Sequence, residues 1–165
     1  MNSKRTNYIG WDSYFMKIAE ISTLRSKDPK SQVGACVVNA ENKIVGMGYN
    51  GMPRGCSDDE FPWSKPEKHL YVCHAEMNAM LNSNDINMVK GSKIYTTLFP
   101  CNNCVKMMLQ LGIREVIYLD DVAHSCSEEE AARKMLDAAG IKYWKFVYSE
   151  EDRKVISEKI DDKMS

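Results

Sequence analysis

No stretch of this chain reaches the roughly 18 consecutive apolar residues that a membrane-spanning helix requires. The first residues, Met1 to Tyr8, are polar and contain no apolar segment of the kind that directs secretion. A cytoplasmic location away from membranes is the expectation. An excess of one charge is also missing. Lys and Arg number 22 against 23 Asp and Glu, a formal net charge of −1, so a broad basic surface for DNA or RNA has no compositional source. Internal repeats, low-complexity tracts and an interdomain linker are lacking too. With 165 residues and 44% hydrophobic content the chain can bury one core. The expectation is therefore a single domain over 1–165, its core at about 11–148, with fraying at 1–8 and 161–165.

Cysteine is present, six in all, but two stand in a pattern better suited to a metal than to a disulfide. His74-Ala75-Glu76 is followed by Pro100-Cys101-Asn102-Asn103-Cys104. Two cysteines separated by two residues at the start of a helix can turn both sulfurs toward one cation, and the helix N-terminus favours the thiolate form. Pro100 suits the first turn of that helix. His74 heads a second apolar pattern of Ala75, Met77, Ala79, Met80 and Leu81, also read as a helix. Three ligands, one imidazole and two thiolates, leave the fourth position of a zinc ion open, as in catalytic rather than structural sites. The pattern His-x-Glu with Pro-Cys-x-x-Cys is the signature of zinc nucleobase deaminases. In that chemistry zinc lowers the pKa of water toward about 7. Glu76 would take the water's proton, pass it to a ring nitrogen and later protonate the departing amine. Cys36, in an apolar run, is expected to stay reduced.

Residues Trp11 to about Ser26 recur with helical periodicity and stop before Asp28-Pro29. Val33–Asn39 and Lys43–Tyr49 are short and valine-rich, a hairpin around Ala40-Glu41-Asn42. A loop rich in Gly, Pro and acidic residues runs from Asn50 to about Leu70, long enough to imply a function. Lys93–Thr97, Glu115–Leu119 and Lys142–Val147 read as further strands. A helix at Ser127–Ala139 is closed by Gly140, and a last helix spans about Ser149–Ile160. This order predicts an α/β fold: a three-layer α/β/α sandwich around a five-stranded mixed sheet. Met77, Met80, Met107 and Met108 are expected to pack within the metal-bearing helices. Cys56, His69 and Cys73 lack metal-site spacing and are expected to be buried thiols and a loop histidine, with His124 at the surface.

Beyond the zinc motif, five stretches carry a more specific likeness: Arg25-Ser26-Lys27-Asp28-Pro29, Ser31-Gln32-Val33-Gly34-Ala35, Gly48-Tyr49-Asn50-Gly51-Met52-Pro53, Cys73-His74-Ala75-Glu76-Met77-Asn78-Ala79 and Phe99-Pro100-Cys101-Asn102-Asn103-Cys104. On these residues the chain resembles the deoxycytidylate deaminases, which convert dCMP to dUMP, from Trp11 to about Phe146. The resemblance implies the cytidine deaminase-like fold, His74, Cys101 and Cys104 as zinc ligands and Glu76 as proton shuttle. It implies substrate contacts from Val33, Asn50 and Ala75, with Asn50 on the sugar. The minority reading of Asn50 is a turn residue with a left-handed backbone before Gly51, a role that can coexist with the sugar contact. Arg25 and Lys27 read alike as phosphate ligands or as cations closing a helix C-terminus, and the resemblance favours phosphate. It further implies a homohexamer activated by dCTP and inhibited by dTTP. The effector site would draw on Asn42, Gly48, Gly51, Met52, Arg54 and Gly55, with Mg²⁺ possible at Asp58 and Asp59. Two departures stand out. The insert between Trp63 and Tyr71 is short, and Ala123-His124 replaces the aromatic residue that relatives often place near the nucleotide. The competing readings are a deaminase of tRNA adenosine or free cytidine, and a catalytically silent zinc-containing nucleotide sensor. An RNA enzyme would need a basic, aromatic channel.

Overall fold

A computed structural model describes residues 3–121 and 126–160. Ala123-His124, where relatives often have an aromatic residue and His124 is expected at the surface, and residues 161–165, expected to fray, lie outside the described residues. The elements follow in the order α1 (Trp11–Thr23), β1 (Gly34–Val38), β2 (Ile44–Tyr49), α2 (Ala75–Leu81), β3 (Lys93–Leu98), α3 (Asn102–Leu111), β4 (Glu115–Asp120), α4 (Cys126–Ala138), β5 (Lys142–Lys145) and α5 (Glu150–Lys159), with short 3-10 turns at Glu67–Leu70 and Ile86–Val89. The sheet order is β2-β1-β3-β4-β5. The hairpin β1–β2 and the pair β1–β3 are antiparallel, whereas β3–β4 and β4–β5 are parallel.

The central strands are apolar on both faces because helices cover both. Along β1, Ala35 and Val37 enter the core shared with α2, α3 and α4, while Cys36 and Val38 enter the core shared with α1. Alternation at period two makes the same division at Ile94 and Tyr95, and at Val116 and Ile117. The first core holds Met80, Phe99, Val105 and Met108; the second holds Phe15, Met16, Ala19 and Phe146. Helix α5 joins the α1 side, where Asp152 Oδ2 accepts from Ser13 Oγ at 2.5 Å. The three-layer α/β/α sandwich with a five-stranded mixed sheet is the observed architecture.

Several boundaries differ from the sequence reading for local reasons. Helix α1 ends at Thr23, three residues early, because Leu24, Arg25 and Ser26 close with tighter backbone bonds to Ile21, Ser22 and Thr23. Strand β5 stops at Lys145, although Phe146 N still donates to Tyr118 O. Ser149 is not the first helical residue of α5 but its cap, its Oγ accepting from Asp152 N at 3.0 Å. Gly140 follows α4 with φ 66°, a left-handed conformation open to glycine, and Ile141 N reaches back to Leu136 O.

Helix α2 lies unusually close to the edge strand β2. A Cβ on Gly48 would stand 2.3 Å from Ala79 N and 2.5 Å from Ala75 O, and one on Gly46 would stand 2.0 Å from Ala79 O. Asn78 Nδ2 donates to Tyr49 O at 2.8 Å and Asn82 Nδ2 to Met47 O at 3.0 Å, completing the attachment.

At the far side of the sheet Glu115 gathers three donors from neighbouring strands: Trp144 Nε1 at 2.8 Å, Lys93 Nζ at 3.1 Å and Lys142 Nζ at 3.2 Å. Burial works to raise its pKa, but these donors prevail and hold it below the usual 4.5. Its stabilising contribution is complete above 4.5 and is lost as pH falls past the lowered folded value. Glu115→Gln should cost about 1.5–3 kcal/mol at neutral pH. Urea denaturation should show the gap to wild type narrowing in acid.

Candidate metal centre

The ends of two helices meet above the sheet. His74 is the N-cap of α2 and Cys101 the N-cap of α3, both with extended backbone (ψ 155° and 167°) and neither making the usual side-chain capping bond. Their side chains turn toward each other instead. Pro100 therefore stands just before the cap, not within the first turn as expected, and directs the chain from β3 into α3.

His74 Nδ1 lies 3.4 Å from Cys101 Sγ and 3.5 Å from Cys104 Sγ. The three donor atoms all fall within 4.8 Å of one another, and no other such group occurs among the described residues. A tetrahedral zinc with bonds of about 2.3 Å to sulfur and about 2.0 Å to nitrogen would set those ligands about 3.5 Å apart. Nitrogen plus two sulfurs also suits zinc by ligand softness, so the residues fit the ion in identity and in spacing.

Hydrogen bonding polarises the trio. A bond from Cys104 brings the Cys101 thiol down to about 3, against the effect of burial. The same bond and burial push Cys104 well up. The bond to Cys101 raises His74 to about 9, with burial opposing. Without a metal the trio therefore pairs a Cys101 thiolate with a protonated His74, and binding a cation would release the protons held on His74 and Cys104.

Glu76, on the first turn of α2, is 3% exposed. Its Oε2 is 3.7 Å from Cys104 Sγ and its Oε1 is 3.3 Å from Thr96 Oγ1. Thr96 Oγ1 also lies 3.0 Å from Leu98 O, so one hydroxyl proton is shared between the two acceptors. Burial raises the Glu76 pKa, with the positive His74 opposing.

His74, Glu76 and Cys101 form the floor of a cleft of about 600 Å³ whose lining also includes Val33, Asn50 and Ala75, a volume within the range of small-molecule sites. The rim carries Lys30, Lys65, His69, Asn103 and Glu128. Asn50, 6% exposed, is engaged on its protein side. Its Oδ1 accepts from Val33 N and Ser26 Oγ, both at 2.8 Å, and its Nδ2 donates to Ser31 O at 2.9 Å. The left-handed backbone considered for Asn50 is not found; among the described non-glycine residues only Asn42 has positive φ.

Arg25 and Lys27, favoured by the resemblance as phosphate ligands, are not among the residues that line this cleft. Both line a separate depression of about 120 Å³ with Tyr49, Gly51, Met52, Asp58 and Trp63. Lys27 folds back onto Asp58 in an ion pair, and the Arg25 guanidinium lies 5.9 Å from the Tyr49 ring centroid. The effector set does not converge either. Gly51 and Met52 line that depression and Arg54 and Gly55 are exposed nearby in sequence, but Asn42 sits in the turn at the opposite end of the hairpin. Gly48 is explained by its contact with α2. Asp58, offered as a magnesium donor, is occupied by Lys27. Cys56 and Cys73 are half-buried rather than buried, and His69 is exposed.

Sequence reading missed Lys68, Thr96, Asn103 and Glu128. Lys68 is the unusual one, a lysine only 3% exposed whose Nζ lies 2.5 Å from Asp28 Oδ2. Lys68, Asn103 and Glu128 stand in polar surroundings that resemble ordinary surface, and Thr96 in a strand offers no positional signal.

Comparison with known proteins locates this geometry. Residues 9–120 match the family model described as the cytidine and deoxycytidylate deaminase zinc-binding region. Deoxycytidylate deaminases of Pongo abelii and Homo sapiens are each 53% identical over 150 residues, 87% of this chain and 84% of theirs. A dCMP deaminase of the cyanophage S-TIM5, solved in complex with dCMP and dUMP, is 28% identical with a TM-score of 0.64, the match covering 81% of this chain and 94% of that one.

Proposed function

The chain belongs to the cytidine and deoxycytidylate deaminase family, and from that membership we propose that it hydrolyses dCMP to dUMP and ammonia, as a single catalytic domain over 1–165 in the cytoplasm. The observation that carries this reading is the convergence of His74 Nδ1, Cys101 Sγ and Cys104 Sγ within 4.8 Å, with His74, Glu76 and Cys101 lining a nucleotide-sized cleft. Among the described residues no helix is long and apolar enough to cross a membrane.

His74, Cys101 and Cys104 would hold zinc, which when bound supplies a Lewis acid that makes water nucleophilic near neutral pH. Val33, Asn50 and Ala75 form the wall against which the nucleoside packs, with C4 of cytosine toward the floor. Glu76 Oε2 takes one proton from the attacking water and carries it to N3 of the ring, then moves the second, from the hydroxyl now on C4, to the departing amine as the C4–N bond breaks, so that water and dCMP become dUMP and ammonia. A carboxyl this deeply buried suits that relay because burial makes it hold its proton more tightly than in water. Thr96 fixes the other oxygen.

The phosphate is met at the rim by Lys30 and Lys65, with His69 beside them. Neither lysine has an ion-pair partner among the described residues. Lys68 contributes little net charge because Asp28 neutralises it. The feed of dUMP to thymidylate synthesis, hexamer formation and control by dCTP (activating) and dTTP (inhibiting) belong to this proposal. Gly51 and Met52 in the depression with Arg25 and Lys27 support an effector site there.

The test is ammonia release from dCMP, dCTP, deoxycytidine, cytidine and an adenosine-containing tRNA stem-loop, repeated with dCTP or dTTP added to the dCMP reaction. The expected result is turnover of dCMP before all others. Lys30→Ala with Lys65→Ala should raise KM for dCMP about tenfold, the scale of one lost charge-assisted contact of about 1.4 kcal/mol, with deoxycytidine use unchanged. Preference for cytidine or the stem-loop would reject the reading.

A further inference from the structure

Residues 51–73 form a long excursion between β2 and α2. Its base is pinned by paired backbone bonds, Gly51 N to Cys73 O at 3.1 Å and Cys73 N to Gly51 O at 2.9 Å. Most of its polar contacts are internal or exposed, such as Trp63 Nε1 donating to Asp58 O and the edge-on packing of Phe61 against Tyr71. Lys68 is its one buried charged side chain. It reaches across the cleft wall to Asp28, itself 3% exposed.

Asp28 is the hub of that wall. Its Oδ1 accepts from Lys30 N at 2.9 Å and Ser31 N at 3.0 Å, and its Oδ2 accepts from Lys68 Nζ at 2.5 Å with Asn50 Nδ2 3.5 Å away. Asn50 in turn holds Ser31 O and Val33 N. A continuous run of bonds therefore joins Lys68 to the backbone of Ser31 and Val33, both of which line the cleft. The ion pair is not an economical way to gain stability. Removing an ammonium and a carboxylate from water costs several kcal/mol each, and neutral or apolar replacements for buried pairs are often equally stable. What the pair fixes is geometry: one carboxylate must satisfy donors from two separate segments at once, which leaves little freedom for either.

We propose that Lys68 is a positioning residue for nucleotide binding, seating segment 51–73 on Asp28 and, through Asp28 and Asn50, holding Ser31 and Val33 in place. The role rests on the reading of the cleft as a dCMP site. It acts on binding and not on the proton relay, since neither Lys68 nor Asp28 contacts Glu76.

The test is the double variant Asp28→Asn with Lys68→Met, which removes both charges at near-constant shape. Thermal stability should return close to wild type, unlike either single variant, while KM for dCMP stays raised about tenfold and kcat remains within about threefold. Wild-type KM in the folded double variant would overturn the inference. Should that variant fail to fold, Lys68→Arg keeps the charge on a wider head group: a raised KM with unchanged zinc content supports the proposal, and an unchanged KM rejects it. Hydrogen exchange without nucleotide reads the lock independently of the chemistry. Faster exchange at Ser31, Val33 and residues 51–73 in a variant whose parent does not turn over dCMP would support the lock and reject the substrate assignment alone. Unchanged exchange there would overturn the lock.

Discussion

Glu76→Gln is expected to retain bound zinc and to lose dCMP turnover by about 10²- to 10⁴-fold, the usual contribution of a positioned general acid–base. Glutamine keeps the volume and the hydrogen bond with Thr96, so the buried site should keep its shape. What it lacks is an oxygen that can accept a proton and give it up. Because Glu76 is not among the three donors that converge on one point, metal content measured after exhaustive dialysis should match wild type. The kinetic loss should fall on kcat, with KM little changed, since the carboxyl acts on bonds being made and broken. Undiminished turnover would remove Glu76 from the chemistry.

Cys104→Ser should have the opposite signature, with the metal lost first and activity following from that. Cys104 is the most deeply buried of the three donors, 2% exposed, and a neutral hydroxyl is a poor ligand for zinc. Disturbing a group that merely supports a ligand costs about 10- to 100-fold in affinity, so losing a ligand should cost more than 100-fold. The dialysed variant should contain no zinc and release no detectable ammonia from dCMP. Melting temperature should also fall, because ion binding couples to folding when the ligands come from separate elements. Full zinc occupancy in this variant would mean that the ion is held elsewhere.

The parts of this arrangement that were legible in the sequence share one property: their signal lies in short-range spacing. Cys101 and Cys104 three residues apart, Glu76 two residues after His74, the valine-rich runs of the hairpin and the apolar recurrence in α1 and α2 are each set within a few turns of chain. The architecture followed from the order of those elements. What could not be read depends on pairings across long separations. Lys68 meets Asp28 forty residues away, and a lysine in a polar loop carries no mark of burial. Arg25 and Lys27 stand near the cleft wall in sequence, and where they face depends on α1 ending at Thr23, which leaves them lining a separate depression. Pro100 looked like a helical first residue because the cap position was filled by Cys101, a residue type seldom used as a cap.

Gly46 and Gly48 extend the consequence of close packing to the chemistry. Strand β2 supplies no donor atom, yet the helix that carries the imidazole rests directly on it. A methyl group at either glycine would lift that helix outward, and the imidazole would retreat with it from sulfurs anchored on another helix. The outermost strand thus works as a shim, and two hydrogen atoms on its inner surface set the gap across which the ligands meet.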